Sequence, residues 1–229
     1  MRKNGIIIAL DGPAGVGKST VGKRVASAVN YKFISTGKMY RALAWKALQT
    51  GTALNDEKAL LALADSVSWT FPKGEGPEAD IALDGRVLRS EIIAEEVSRA
   101  SSAVATLPGV RAIMKIMQQK AGADGGVVME GRDIGTNIFP DAELKIFLDA
   151  SAEARASRRA GQLKAQGIEA DYNEILAFIK KRDHQDSTRK VNPLKKADDA
   201  IYLDSTDLNQ DQVVEKITAL FNAAQGAKK

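Results

Sequence analysis

Short apolar runs alternate with segments of helical spacing along most of the chain. Continuous runs such as Ile6–Leu10 are typical of strands that are buried on both faces of a parallel sheet. The runs predict strands at residues 6–10, 31–34, 127–129, 144–149 and 200–203. Hydrophobic spacing and capping residues predict helices at residues 19–29, 36–48, 90–105, 108–121, 152–159, 171–189 and 211–223. This alternation favours an α/β fold built on a parallel sheet.

One segment, residues 66–89, interrupts the α/β alternation. The period-two pattern of Val67–Phe71 predicts a strand, and Ile81–Leu88 predicts a hairpin with Asp84 and Gly85 in its tight turn. The chain is therefore expected to carry a small antiparallel unit inside a parallel α/β protein. Such an insert either closes over a substrate, as in some transferases, or is a structural decoration, and this segment alone leaves both open.

The segment Gly12–Ser19 matches the phosphate-binding loop pattern G-x-x-x-x-G-K-[ST]. Its glycines let backbone amides point at phosphate oxygens, and the N-terminus of the following helix adds positive potential. Lys18 is expected to reach the outer phosphates of a nucleoside triphosphate, and the Ser19 hydroxyl to bind Mg²⁺. The flanking strand and helix disfavour the alternative of a glycine-rich turn without a ligand. The loop alone does not distinguish a kinase from a GTPase or a motor.

Candidate residues for a second anion site follow two other predicted strands. Tyr40 and Arg41 lie in the first turns of a helix that Thr36 is expected to cap, at the sheet edge where open α/β proteins bind ligands. Arg132 and Asp133 follow a further buried strand. Arginine offers a planar fork for phosphate, and aspartate accepts from a base amino group or a sugar hydroxyl. An exposed helix arginine and a structural Arg–Asp ion pair are the alternatives.

Charged residues also form two rows, each on a single helix face. The rows are Arg155, Arg158 and Arg159 on one helix, and Arg182, Asp186 and Arg189 on the next. Each row forms either the wall of a charged cleft or a solvated surface, where a row of salt bridges contributes less than about 1 kcal/mol. His184 lies off the second row and is expected at the surface.

Composition disfavours several function classes. The net charge is only +4, the basic residues form no long run and aromatic residues are 5%, which argues against nucleic-acid binding. The absence of cysteine rules out disulfides, and a single histidine cannot build a zinc site. No segment is apolar enough to span a bilayer. We therefore expect a cytoplasmic protein without membrane contact and, since no long apolar stripe is left over, a monomer.

Taken in order, the motifs resemble those of bacterial-type cytidylate kinases, the (d)CMP kinases among P-loop nucleoside monophosphate kinases. The resemblance covers nearly the whole chain and rests on the segments GPAGVGKST, STGKMYR, LPGVR, EGRDIGT, KIFLDAS, RASRR and IKKRDHQDSTRKVNPL. Many proteins share the phosphate loop, whereas the combination of STG-x-x-YR, GRD-x-GT and R-D-x-x-D-x-x-R is far more specific. The resemblance implies ATP-dependent phosphorylation of CMP and dCMP to CDP and dCDP, with Mg²⁺ as the metal.

The resemblance also implies a domain plan. The fold is expected to be a three-layer α/β fold of the P-loop NTPase type, with a parallel central sheet, a small β-containing insert that binds the monophosphate, and a helical lid. The core would comprise residues 1–65 and 106–229, with the lid at about 150–170, and the CMP-binding insert would comprise residues 66–105.

The functional residues that the resemblance implies fall into three sets, with Ser19 also as the metal ligand. The ATP-binding set is Gly12, Pro13, Ala14, Gly15, Val16, Gly17, Lys18, Ser19 and Thr20. The CMP-binding set is Thr36, Tyr40, Arg41, Ser102, Arg111, Arg132, Asp133, Arg182 and Asp186. The catalytic set is Lys18, Arg158, Arg159 and Arg189. In this scheme Arg41 and Arg132 clamp the CMP phosphate, whereas Ser102, Arg111 and Asp133 read the cytosine.

Two positions depart from the family pattern, and two rival functions stay open. Ser35 stands where the family usually carries an acidic residue, and Ile93 where an arginine is common. One rival is a kinase for another small acceptor, such as a different nucleotide or shikimate, which has no need of a large β insert. The other is a P-loop switch or NTPase with Asp149 as its magnesium ligand, although no switch-like signature accompanies Asp149.

Overall fold

A five-stranded, fully parallel sheet forms the centre of the computed structural model, which describes residues 2–226. Its strands are β1 (Ile7–Asp11), β2 (Lys32–Ser35), β6 (Val127–Gly131), β7 (Leu144–Asp149) and β8 (Ile201–Asp204). They lie side by side in the order β2-β6-β1-β7-β8. All five strands that the apolar runs predict are present, with bounds that differ from the expected ones by at most two residues.

Helices cover both faces of this sheet. They are α1 (Lys18–Ala28), α2 (Thr36–Thr50), α3 (Glu57–Ser66), α4 (Glu95–Val104), α5 (Pro108–Gly122), α6 (Ala152–Ala165), α7 (Tyr172–Thr188) and α8 (Gln210–Gly226). One apolar cluster, which includes Leu43 and Met114, lies under α2, α3 and α5; the other, which includes Val25 and Ile217, lies under α1 and α8. The predicted three-layer α/β fold is confirmed. None of the helices in the described part of the chain is both long and apolar enough to cross a membrane.

The continuous apolar run of β1 serves both clusters. Ile7 and Ala9 pack into the first cluster, whereas Ile8 and Leu10 pack into the second, because successive side chains of a strand point to opposite faces. All of these residues are at most 1% exposed. This two-sided burial explains why the strand reads as an unbroken apolar run rather than as an alternating one.

A second sheet, which is antiparallel and has three strands, is formed by the residues between β2 and β6. It consists of β3 (Trp69–Thr70), β4 (Ile81–Leu83) and β5 (Arg86–Leu88), in that order. Asp84 and Gly85 have φ angles of 51° and 78°, which suits the tight hairpin turn that the sequence predicts. The small sheet and α4 fall within residues 66–105.

The chain between β3 and β4 also contacts the edge of the central sheet. The amide of Phe33 donates to the Pro77 carbonyl at 2.8 Å, and the amide of Ala79 donates to the Phe33 carbonyl at 3.0 Å. These two bonds extend β2 by a short parallel contact. The insert is thus attached to the core by backbone hydrogen bonds as well as by its two chain connections.

Three features differ from the sequence-based predictions. Helix α4 begins at Glu95 rather than Ser90, because residues 91–94 form a turn and a bend instead, with the Ile93 amide donating to the Ser90 carbonyl at 3.2 Å. The first insert strand is two residues long instead of five. Helix α3 and a single π-helical turn at Ile134–Ile138 were not predicted.

We expect Gly22→Ala to destabilise the fold by about 1–2 kcal/mol, because overpacking a filled core costs about 1–3 kcal/mol. A Cβ at Gly22, in α1, would lie 2.5 Å from Cε2 of the fully buried Phe33 ring. Gly161→Ala is the matched control, since a Cβ there meets nothing within 4 Å and alanine stabilises a helix by about 0.5–1 kcal/mol. Urea unfolding measures both changes, and equal stability of the two variants would contradict the packing argument.

Candidate active site

The turn between β1 and α1 is shaped by glycines that no other residue replaces without strain. Gly12, Gly15 and Gly17 have φ angles of 152°, 77° and 97°. A Cβ at Gly12 would also lie 2.0 Å from the Leu148 carbonyl oxygen, so the loop sits tightly against β7. The loop therefore has the open-amide shape that the phosphate-binding pattern predicts.

Lys18 is buried at the start of α1 and folds back over this loop. Its ammonium donates to the carbonyls of Gly12 and Pro13 at 2.9 and 2.6 Å. Burial lowers the pKa of Lys18 well below its ordinary value, and the nearby charge of Arg132 adds to this effect. A cation held in this way gains from any anion that enters the loop.

Glu130, at the end of β6, accepts hydrogen bonds from two serines. The hydroxyl of Ser19 donates to its Oε1 at 2.7 Å, and the hydroxyl of Ser35 donates to the same atom at 2.6 Å. The carboxylate is buried, at 6% exposure. Sequence reasoning assigned no role to Glu130. The sequence did carry a signal for it: an acidic residue at the carboxyl end of a buried strand. The phosphate loop lies at the same edge of the sheet.

The helix that follows β2 begins at the expected residue, but its cap differs from the prediction. Thr36 is the first residue of α2, and Ser35 occupies the cap position, although its side chain accepts no hydrogen bond from the helix amides. The Thr36 hydroxyl instead donates to the Glu130 carbonyl at 2.8 Å. The prediction that Thr36 caps α2 is therefore wrong, because its side chain binds the neighbouring strand.

These groups open onto a cleft of about 380 Å³. It is lined by five arginines, two lysines and only three carboxylates, which gives it an excess of positive charge. The predicted site residues on its wall are Ala14, Gly15, Gly17, Lys18, Ser19, Thr20, Thr36, Tyr40, Arg41, Ser102, Arg111, Arg132, Asp133, Arg182, Asp186 and Arg189. Gly12, Pro13 and Val16 belong to the same loop but do not line the cleft. An arrangement of this kind suits ligands that carry several negative charges.

A buried ion pair forms part of the cleft wall. Arg111 donates to Asp133 at 2.6 Å, and both side chains are less than 10% exposed. The Asp133 carboxylate also accepts hydrogen bonds from the Asn137 side-chain amide at 2.9 Å and from Arg189 at 3.4 Å. The Nε atom of Arg111 is buried without a hydrogen-bond partner in the described structure. Burial raises the pKa of the adjacent Tyr40 to about 12, so its phenol stays neutral.

A second ion pair is linked to the first through Arg189. Arg132 donates to Asp186 at 2.8 Å, and Arg189 lies 3.9 Å from the same carboxylate. Burial alone would raise the pKa of Asp186, but the charge and hydrogen bond of Arg132 outweigh it and lower that pKa. Burial, followed by the charge of Arg132, lowers the pKa of Arg182. Neighbouring arginines thus lie close enough to repel one another.

Arg41 reaches across to the insert. It donates to the Ser98 hydroxyl at 3.1 Å and to the Ile92 carbonyl at 3.4 Å. Burial lowers its pKa. Ser102 lies one helical turn along α4 from Ser98 and lines the cleft.

The three arginines of α6 take different positions. Arg158 donates to the carbonyls of Ser205, Thr206 and Leu208, and Arg159 is exposed, so neither lines the cleft. Their catalytic role stays a prediction. The third arginine, Arg155, is buried and connects the phosphate loop with α7. It donates to the Ala14 carbonyl at 3.0 Å and to the Asp183 carboxylate at 2.6 Å. His184 is exposed on α7.

Similarity to known proteins extends over nearly the whole chain. A family model described as cytidylate kinase matches residues 8–223. A cytidylate kinase from Geobacillus sp. (strain WCH70) is 45% identical over 98% of this chain and 100% of that protein. One from Bacillus pumilus (strain SAFR-032) is 48% identical over 94% of this chain and 95% of that protein.

Some relatives are longer. A bifunctional pantoate ligase/cytidylate kinase from Synechococcus sp. (strain JA-3-3Ab) is 47% identical over 94% of this chain, which spans only 40% of that protein. Another from strain JA-2-3B'a(2-13) is 46% identical with the same coverage. The region shared with these two proteins is thus less than half of their length.

Solved structures show likeness at the level of the fold. An uncharacterised protein from Eubacterium ventriosum is 16% identical with a TM-score of 0.50, covering 95% of this chain and 98% of that one. A shikimate kinase from Bacteroides thetaiotaomicron is 15% identical with a TM-score of 0.49 and the same coverage. The family model and the full-length relatives give much stronger evidence than this likeness of fold. They show that this chain belongs to the cytidylate kinase family.

Proposed function

We propose that this protein transfers the terminal phosphoryl group of ATP to CMP and dCMP, giving CDP and dCDP. The observation that carries the proposal is a single cleft whose wall holds two anion-binding groups. One is the phosphate loop with Lys18, and the other is formed by Arg41, Arg132 and Arg189. Two nucleotides bound to these groups bring their phosphates together in the same cleft.

Mg²⁺ fits the oxygen atoms beside the phosphate loop. The Ser19 hydroxyl and the Glu130 carboxylate are 2.7 Å apart, and both offer the hard oxygen ligands that Mg²⁺ prefers. Among residues 2–226, no group of three or more His, Cys, Asp or Glu side chains could hold a metal alone. This agrees with Mg²⁺, which is usually held by one or two protein groups together with substrate phosphates. When bound, the ion neutralises charge on the transferred group.

The buried pair of Arg111 and Asp133 supports recognition of the cytosine ring. Asp133 is acceptor-only when ionised and so matches the exocyclic amino group of cytosine. Uracil presents a carbonyl in place of the amino group, which an ionised carboxylate repels.

The proposed transfer needs no side-chain base. The attacking phosphate oxygen of CMP is already anionic, so the protein has to align two anions and neutralise their charge. Arg132 and Arg189 suit this role, and each contacts a different oxygen of Asp186. The absence of His184 from the cleft wall agrees with a reaction of this kind. Closure of the insert and the lid would exclude water and limit hydrolysis of ATP.

Two observations favour this function over the rivals. Asp149 accepts from the Ala150 amide at 2.8 Å and from the Tyr202 hydroxyl at 3.1 Å, and it does not line the cleft, so it does not serve as the magnesium ligand of a switch protein. The insert contributes Ser102 to the cleft, which suits an acceptor as large as a nucleotide. We further propose that the protein is cytoplasmic, because ATP and CMP are cytoplasmic metabolites. We also propose that it is a monomer, since no long apolar stripe is left over for a partner, and size-exclusion chromatography with light scattering tests this.

A coupled assay of ADP release tests the proposed activity. We expect rapid turnover with CMP and dCMP, much slower turnover with UMP and AMP, and little ATP hydrolysis without an acceptor. The assay requires added MgCl₂, and EDTA is expected to abolish turnover. ATP consumption that is independent of any acceptor would favour a switch or NTPase instead.

We expect Arg41→Ala and Arg132→Ala each to lower kcat/KM for CMP by about 100-fold or more, the usual cost of removing one transition-state donor. Both variants should keep the wild-type circular dichroism spectrum. Arg99→Ala is the matched control, because Arg99 lies in the insert and pairs only with the exposed Glu95. Normal kinetics of either cleft variant with CMP would reject its role.

We expect Asp133→Asn to lower the ratio of kcat/KM for CMP to that for UMP by about tenfold, which corresponds to about 1.4 kcal/mol. The amide can both donate and accept, so it no longer favours the amino group of cytosine. The ratio is its own control, because partial misfolding lowers both rates equally. An unchanged ratio would place base recognition elsewhere.

A further inference from the structure

A buried carboxylate joins the phosphate loop to the loop that carries Asp133. Asp11 ends β1, directly before Gly12, and is 5% exposed. Its Oδ1 accepts from the Ile134 amide at 2.8 Å, and its Oδ2 accepts from the Gly135 amide at 2.7 Å. Both oxygens of one side chain therefore hold two consecutive amides of another segment.

These two amides open the π-helical turn that follows Asp133. The same turn is closed by Asn137, whose side-chain amide donates to Asp133 at 2.9 Å. The turn thus sets the direction of the Asp133 side chain, and Asp11 holds the turn in place. The Asp133 carboxylate accepts a hydrogen bond from Arg111, so the contacts of Asp11 also support the buried ion pair of the cleft.

The position of Asp11 is costly for the fold. Burial raises its pKa to about 6, although the amides of Gly135 and Ile134 act in the opposite direction. The rest of β1 is apolar, and an apolar side chain at its end would avoid this desolvation. Gly135 also leaves little space, since a Cβ there would lie 3.2 Å from Lys145 Cδ and 3.5 Å from Asp11 Oδ2. The loop is therefore seated closely on this carboxylate.

We propose that Asp11 is a positioning residue for the acceptor nucleotide: it holds the Asp133 turn at a fixed place beside the phosphate loop, so that one side chain sets the acceptor side of the cleft in register with that loop. Asp11 itself does not line the cleft and acts through the Ile134 and Gly135 amides. This inference rests on the proposed function, because it takes CMP as the acceptor.

The test compares the full-length wild type with Asp11→Asn. The asparagine amide places its NH₂ group against one of the two backbone amides, so one hydrogen bond is lost. We expect the KM for CMP to rise by about tenfold, in line with the loss of one buried charge-assisted bond. The dissociation constant for ATP, measured by calorimetry without CMP, should stay within about twofold. Hydrogen exchange at the Ile134 and Gly135 amides should accelerate in the absence of any nucleotide.

Two further variants keep the test decisive. Asp149→Asn is the matched control, since Asp149 ends the neighbouring strand β7 but faces Ala150 and Tyr202 rather than the acceptor side. Asp11→Ser removes the charge without adding an opposing NH₂ group, and it should give the same pattern as Asp11→Asn. Failure of both Asp11 variants to fold, with a folded Asp149→Asn, would assign Asp11 to global stability and overturn the proposal.

Other outcomes separate this inference from the proposed function. If the wild type phosphorylates CMP and Asp11→Asn weakens ATP and CMP equally, or leaves the KM for CMP unchanged, the positioning role is wrong while the function stands. Unchanged hydrogen exchange at Ile134 and Gly135 would also overturn it. If the wild type and Asp149→Asn both fail to phosphorylate CMP, the function itself is wrong and the inference falls with it.

Discussion

The parallel pairing of β1 with β6 is the interaction on which the site depends. Its hydrogen-bond register places Asp11 opposite Gly131, so that the two strands end at the same level. Since parallel strands end at a common edge, the loops that follow them emerge side by side. The phosphate loop and the segment that carries Arg132 and Asp133 are therefore neighbours, although more than 100 residues separate them in sequence.

The positive charge of the cleft is partly compensated within the protein itself. Asp133 and Asp186 each lie between two arginines, and Glu130 is held by two serine hydroxyls. Isolated buried guanidinium groups would carry a large desolvation cost, and these pairs reduce it. Two of the carboxylates thus keep the arginines ordered and charged, while positive charge remains in excess for anions that enter from solvent.

Much of the fold and part of the site could be predicted from local patterns. The buried strands were predictable because two-sided burial requires an unbroken apolar run, and the phosphate loop because its glycines adopt positive φ angles. The partners of Glu130 and of Arg158 could not be predicted, because both bind groups that are distant in sequence. The late start of α4 could not be predicted either, because the hydrophobic spacing of residues 90–105 does not show that residues 91–94 form a turn and a bend.

The backbone bonds between Phe33 and residues 77–79 give the edge strand β2 a cover. Without it, the row of free amides and carbonyls along β2 would invite pairing with another chain, so this short contact protects the sheet against edge-to-edge association. The same two bonds also act mechanically. Any rotation of the small sheet relative to the core either breaks them or turns about them, so residues 77–79 behave as a pivot rather than as a free linker.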